Sequence, residues 1–243
     1  VPKQARRWVK AYLLCQYANK TPQPPCVNNV ALIADHFGGS DVQDGANCSF
    51  TFNAAHQVAA GNTVLVGIAM FVGGGGGHVF TQLDLTQSGG TAAIGPIALD
   101  AAINFAANDF GLAIFRVPIT APGTLTLTFG PPGFVEMGCA EFSGLAAVPF
   151  EASFSNNGNS IAESSGSMAT STCGLMFYAA SEASNEDWVR QFSDQLIYSL
   201  STGATTSTSI FQFKLINSSP TVMTSSAGAA EPWKVLCAKY KTS

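Results

Sequence analysis

The clearest pattern along the chain is alternation. Thr124-Leu125-Thr126-Leu127-Thr128-Phe129 puts the apolar side chains on one face and the threonines on the other, the period of a strand with one buried face. Thr81 to Thr86 repeats it, and so does Ile210 to Leu215, where Phe211, Phe213 and Leu215 point inward. Asn62 to Val72 is apolar on both faces, as a central strand covered from both sides requires. Further strands are predicted at 28–36, 48–54, 111–119, 134–142, 173–180, 195–200 and 235–240. Turn signals separate them, among them Ala60-Gly61-Asn62, Gly130-Pro131-Pro132-Gly133, Asn156-Asn157-Gly158 and Ser201-Thr202-Gly203. Short strands with such turns predict an all-β fold, an antiparallel jelly-roll β-sandwich. Residues 73–77, 156–167 and 204–209 read as loops, and no helix is expected inside this body.

Before residue 28 the pattern changes. Trp8, Ala11, Tyr12, Cys15 and Ala18 recur at three- and four-residue spacing, which predicts a short amphipathic helix over about 4–18. Thr21-Pro22-Gln23-Pro24-Pro25 stops it and forms a stiff linker. The organisation expected is an arm and proline linker over 1–27 and a sandwich over 28–243. The run from Trp8 to Cys15 is too short, and too interrupted by Lys10, for a signal peptide. No stretch approaches the roughly 18 apolar residues that span a bilayer.

Charge sharpens this division. Charged residues are 11% of the 243 and the net charge is -4, well under the roughly 25% usual for soluble domains. High hydrophobicity with few charges excludes disorder, and few Glu, Lys and Arg exclude a helical bundle. Eight of the eleven cations lie in residues 1–20 and 234–243, and neither stretch has an acid. The pattern reads as an acidic body with a basic arm and a basic tail. Lys3, Arg6, Arg7, Trp8, Lys10 and Tyr12 are the candidate partner-binding residues of the arm, since such ends dock on acidic surfaces. Nucleic acid is disfavoured as a partner by the overall acidity.

Catalytic signatures are sought and not found. No G-x-S-x-G occurs, and Glu136 and Glu141, five apart, would face opposite sides of one strand. The glycine run 73–77 lacks the lysine and helix of a phosphate-binding loop. His36, His56 and His78 share no ligand spacing and read as turn or surface residues. Asp41, Asp44 and Asn47 form a weak calcium candidate of hard oxygen ligands; no cofactor is expected. Without a C-x-x-C pair, the six cysteines do not read as a zinc or redox motif. Cys15 and Cys26 could staple the arm across its linker. Cys139, Cys173 and Cys237 read as free thiols packed in apolar strands. Trp188 and Tyr198 are the candidate glycan contacts, and Trp233 is expected to be packed.

The order of Ala60-Gly61-Asn62-Thr63-Val64-Leu65-Val66-Gly67, Leu112 to Arg116, Gly123 to Phe129, Ala140 to Leu145 and Trp233 to Ala238 resembles jelly-roll modules of tailed-phage virion proteins. Such modules occur in capsid decorations, head spikes and tail fibres, and also in secreted bacterial proteins. The resemblance implies a non-enzymatic structural protein on the virion surface, assembled in the host cytoplasm. It would be a decoration or cement protein, anchored by its arm to other virion proteins and to copies of itself as a homotrimer. The alternative it implies is a tail-fibre or secreted adhesion module that binds host-surface glycans.

Overall fold

The structure, a computed structural model, describes residues 29–42, 47–72, 76–106, 109–160, 162–165, 173–182, 189–190, 195–200, 208–216, 224–226 and 232–243. Within them the chain is all-β, its sheets antiparallel, and the only helix is a single 3-10 turn at Gln82–Asp84. None of the described helical residues forms a span long and apolar enough to cross a membrane.

The strands are β1 (Ala31–Val42), β2 (Cys48–Phe52), β3 (Thr63–Phe71), β4 (Leu85–Gly90), β5 (Ala93–Ile94), β6 (Ala98–Ile103), β7 (Phe110–Ala121), β8 (Leu125–Phe129) and β9 (Phe134–Ser143). They continue as β10 (Leu145–Asn159), β11 (Ala162–Ser164), β12 (Gly174–Glu182), β13 (Val189–Arg190), β14 (Gln195–Leu200), β15 (Thr208–Ile216), β16 (Thr224–Ser226) and β17 (Pro232–Thr242).

Their pairing repeats itself. One large sheet runs β1-β9-β3-β7, with β5 and β6 both on β7, and a small sheet runs β2-β8-β4. The second large sheet runs β10-β17-β12-β15-β14, and the second small sheet β11-β16-β13. Leaving out the two-residue β5, strand order in the second half matches the first one for one. The halves therefore share one topology, and a single residue, Gly144, separates β9 from β10. Its φ of +74° lies in the left-handed region, and a Cβ there would stand 2.1 Å from the Asn29 carbonyl oxygen. Only glycine fits so tight a passage. Ser243 closes the same corner, its amide donating to the Gly144 carbonyl at 2.9 Å.

The sheets stack in four layers with apolar side chains between them. Val64, Val66 and Ile68 of β3, Ala113 and Phe115 of β7, and Met137 and Cys139 of β9 meet Leu125, Leu127 and Phe129 beneath the first small sheet. The opposite face of the same sheet, through Leu65, Leu112, Ile114 and Phe142, packs on Phe177, Phe211, Phe213, Leu236 and Tyr240 of the second large sheet. Met176, Tyr178, Trp233, Val235 and Cys237 fill the far face of that sheet, where β11 lies over β10 and β17. The large sheets face one another in reversed order: β1 opposes β14, β3 opposes β12, and β6 opposes β17 and β10. That arrangement is a pseudo-twofold, with the equivalent strands β3 and β12 at its centre.

The central layer is keyed by glycine. Gly67 and Gly138 are cross-strand partners on β3 and β9, and Gly39 of β1 continues the row. Phe211 lies on them: a Cβ at Gly67 would be 2.4 Å, and one at Gly138 2.5 Å, from its ring. Two polar pins flank this contact. Arg116 holds Asp100 through a fork of hydrogen bonds at 3.0 and 3.2 Å, with Tyr240 of the other half beside them. Lys234 Nζ bonds Asp109 at 2.6 Å and the Phe110 carbonyl at 2.7 Å, and sits 4.9 Å over the Phe110 ring. Burial pushes the Asp100 carboxyl above its ordinary value, against the downward pull of Arg116. Burial, and then the Asp100 charge, push the Tyr240 phenol well above 10.

Several expectations change. Residues 81–86 are not one strand. Asp84 accepts hydrogen bonds from the Thr81 amide and hydroxyl at 2.8 and 3.0 Å and closes the 3-10 turn, which leaves Leu83 79% exposed. Asn156-Asn157-Gly158 is not a turn but the end of β10, paired to Val235, Lys234 and Trp233. Gly158 is needed there because the Trp233 indole lies on it, 2.6 Å from where a Cβ would be. Leu215 is 39% exposed, unlike Phe211 and Phe213. The basic tail is the inner strand β17, with Lys239 fully buried and bonded to Glu151 at 2.8 Å. Cys173 is not a free thiol: it is disulfide-bonded, and Cys15 and Cys26 lie outside the described residues. Cys139 and Cys237 are buried free thiols as expected, and Trp233 is packed, donating to Ser160 at 3.1 Å.

Gly138→Ala is expected to lose about 1–3 kcal/mol of stability by overpacking. Phe211→Leu in the same chain should return part of it, measured by urea unfolding. The Tyr240 phenol is raised in the folded state, so its contribution is complete below the unfolded value near 10 and is lost as pH rises above it. Urea midpoints should fall as pH rises above about 10, and fall less steeply in Tyr240→Phe.

Candidate functional site

The most unusual local chemistry among the described residues is at the edge of the first large sheet. Between Leu32, which pairs Phe142, and Phe37, which pairs Ala140, β1 leaves its register, so Ile33 to His36 face the single residue Glu141. Asp35 takes φ +62°, the one positive φ at a non-glycine residue described in the chain. Bulges re-aim side chains, and this one turns His36 onto Glu141.

Glu141 is fully buried. Its Oε1 accepts hydrogen bonds from the Ala59 amide at 2.8 Å and the Asn62 side-chain amide at 2.7 Å. Its Oε2 meets His36 Nδ1 in a short contact. A buried carboxylate is held only by such donors, and here β9, the 59–62 turn and the β1 bulge each supply part of the cage. With the carboxylate as acceptor, His36 Nδ1 is the donor in this contact. His56 stands beside it, ring centre 5.6 Å away and nearly perpendicular at 82°. Both imidazoles are part-exposed, so the site opens to solvent through them.

The second half carries a counterpart. Cys139-Ala140-Glu141-Phe142 on β9 corresponds to Cys237-Ala238-Lys239-Tyr240 on β17, with Glu141 opposite Val64 and Lys239 opposite Met176 of the equivalent strands β3 and β12. Lys239 is buried at the same rung, its partner Glu151 lies on the equivalent edge strand β10, and that strand also breaks register there. The charges are reversed between halves. Only the first half places imidazoles there.

Other candidates are distributed differently. His78 does not join the pair; its Nε2 bonds Asp84 at 2.8 Å. Glu136 and Glu141 occupy alternate positions of β9, on opposite faces, as the spacing requires. Among the described residues no hydroxyl or thiol is hydrogen-bonded to His36, so the nucleophile–base pair of acyl transfer is not formed there. No group of three or more His, Cys, Asp or Glu able to hold a metal occurs among them. Lys3, Arg6, Arg7, Trp8, Lys10, Tyr12, Asp44 and Trp188 lie outside the described residues, as do the side chains of Asp41 and Tyr198. Asn47 is described and exposed. Sequence reading missed the His36–Glu141–His56 cluster because its members are separated by 20 and 85 positions along the chain. The one available signal was an ionisable residue inside an otherwise apolar strand pattern, Ala140-Glu141-Phe142.

Comparison of the chain with protein-family models, with curated proteins and with solved structures returns no match.

Glu141→Ala strips three donors of their acceptor at once. It is expected to cost about 3–5 kcal/mol, read by denaturant unfolding, whereas His56→Gln should stay within about 0.5 kcal/mol of wild type.

Proposed function

We propose that the chain is a non-enzymatic structural protein of a phage virion, a capsid decoration or cement protein whose basic arm anchors it to the particle. Each half is read as a jelly roll. With eight strands per half, the large sheet follows the order one, eight, three, six, and the small sheet two, seven, four. The fifth strand, which a jelly roll normally adds to the small sheet, here joins the large one.

The observation that carries the reading is where the body keeps its charge. Arg116 and Lys239 are each bonded to an acid inside the stack, at 3.0 and 2.8 Å, and Lys234 to the half-exposed Asp109 at 2.6 Å. The outer face of β2-β8-β4 presents hydroxyls instead: Ser49 and Ser88 both bond Thr128, at 2.7 and 2.6 Å, and Thr51 bonds Thr126 at 3.0 Å. A face without fixed charge is cheap to desolvate against a neighbouring subunit. The resemblance to virion modules supports the same reading, and the five cations within residues 1–20 supply the attachment.

Hydrogen exchange on free and particle-bound protein tests it. Residues 1–25 are expected to gain protection only on the particle; equal protection in the free monomer would sink the anchor.

A further inference from the structure

We propose that His36 and His56 form a two-imidazole binding site for a divalent transition ion, zinc, nickel or copper. Imidazole suits these metals. A zinc-bound nitrogen lies about 2.0–2.1 Å from the ion, so each ring centre stands about 3.2 Å from it. Two rings on one ion at angles of about 109–120° then have centres about 5.2–5.6 Å apart. The observed separation is 5.6 Å.

Three further features belong to such a site. Glu141 occupies Nδ1 of His36, the carboxylate–imidazole arrangement that fixes tautomer and ring direction behind a metal. Nε2 of His36 is the nitrogen that Glu141 does not engage, and it ligates metal as neutral imidazole. His56 has no side-chain hydrogen bond among the described residues, so its nitrogens need not be taken from another partner. The bulge that aims His36 runs through the strained Asp35 backbone, and strain of this kind persists where surrounding structure over-determines it, commonly at functional sites. Two ligands come from this chain and the remaining positions are filled by water or by an acceptor on a neighbouring subunit. The equivalent rung of the second half holds Lys239 with Glu151, an ion pair with no imidazole, so one site per chain is expected.

Titration calorimetry of the full chain with Zn²⁺, and electron paramagnetic resonance of the Cu²⁺-loaded protein, test the site. The expected result is one saturable ion per chain and a copper spectrum with two imidazole nitrogens. His56→Gln should weaken zinc at least tenfold and leave one nitrogen, with the metal-free fold unchanged by circular dichroism. His78→Gln should bind as wild type. Glu141→Gln, if folded, should weaken zinc about 10–100-fold. No saturable binding at millimolar Zn²⁺, or binding undiminished in His56→Gln, overturns the proposal.

Discussion

The Phe211 ring pressed onto Gly67 and Gly138 sets how closely the two large sheets approach. A side chain at either glycine would stand where the ring is, and the layer of Leu65, Phe142, Phe177 and Phe213 around it would have to open. Interiors pack at crystal-like density and do not absorb such a gap. The other contacts in the middle of the molecule depend on this spacing. Phe142 meets Phe213 edge to face at 5.0 Å, and Tyr240 reaches the Asp100–Arg116 pair from the opposite half. Lys234 reaches over to Asp109 and Phe110. The one-residue passage at Gly144 works only because the sheets it joins lie back to back at this distance.

The stack also explains the scarcity of charge. A large sheet in this fold is covered on both faces, so its strands are apolar on both, and any charge they carry must be compensated inside. Glu141 is compensated by His36, Asn62 and a backbone amide, and Lys239 by Glu151. Both sit at the same rung of the repeated topology, next to a register break in the edge strand. A buried charge held this way is poor evidence of net stability. It does fix where the edge strand must lie, because any slip would leave the charge unpaired. In the first half that registering device brought two imidazoles together at the surface of the cage.

Much of the fold was legible in the pattern of residues. Ten of the eleven predicted strands have counterparts, the exception being 81–86, and Asn62 to Val72 is the twice-covered strand its composition demanded. The strands that escaped are of two kinds. β4, β5, β6, β11, β13 and β16 are short or weakly patterned. β10 is fifteen residues long but lies at a sheet edge, where one side faces water and alternation fades into Ser, Asn and Gly. Its Asn-Asn-Gly read locally as a turn, and pairing with β17 overrode that preference. The repetition of topology was hidden because the halves share little beyond Cys-Ala-x-aromatic on β9 and β17.

By itself the sequence determined the chemistry of each strand: period two, which faces are apolar, where glycine and proline interrupt, and that the chain is all-β. Those are local properties, set by whether successive side chains can be buried. The tertiary structure decided which strands are neighbours, and with that which buried polar and charged groups meet. Asp100 with Arg116, Glu151 with Lys239, and His36 with Glu141 and His56 are separated by 16, 88, 105 and 20 positions. Electrostatic pairing acts over a few ångströms of space, and no regularity along the chain encodes which distant residues the sheets will bring that close.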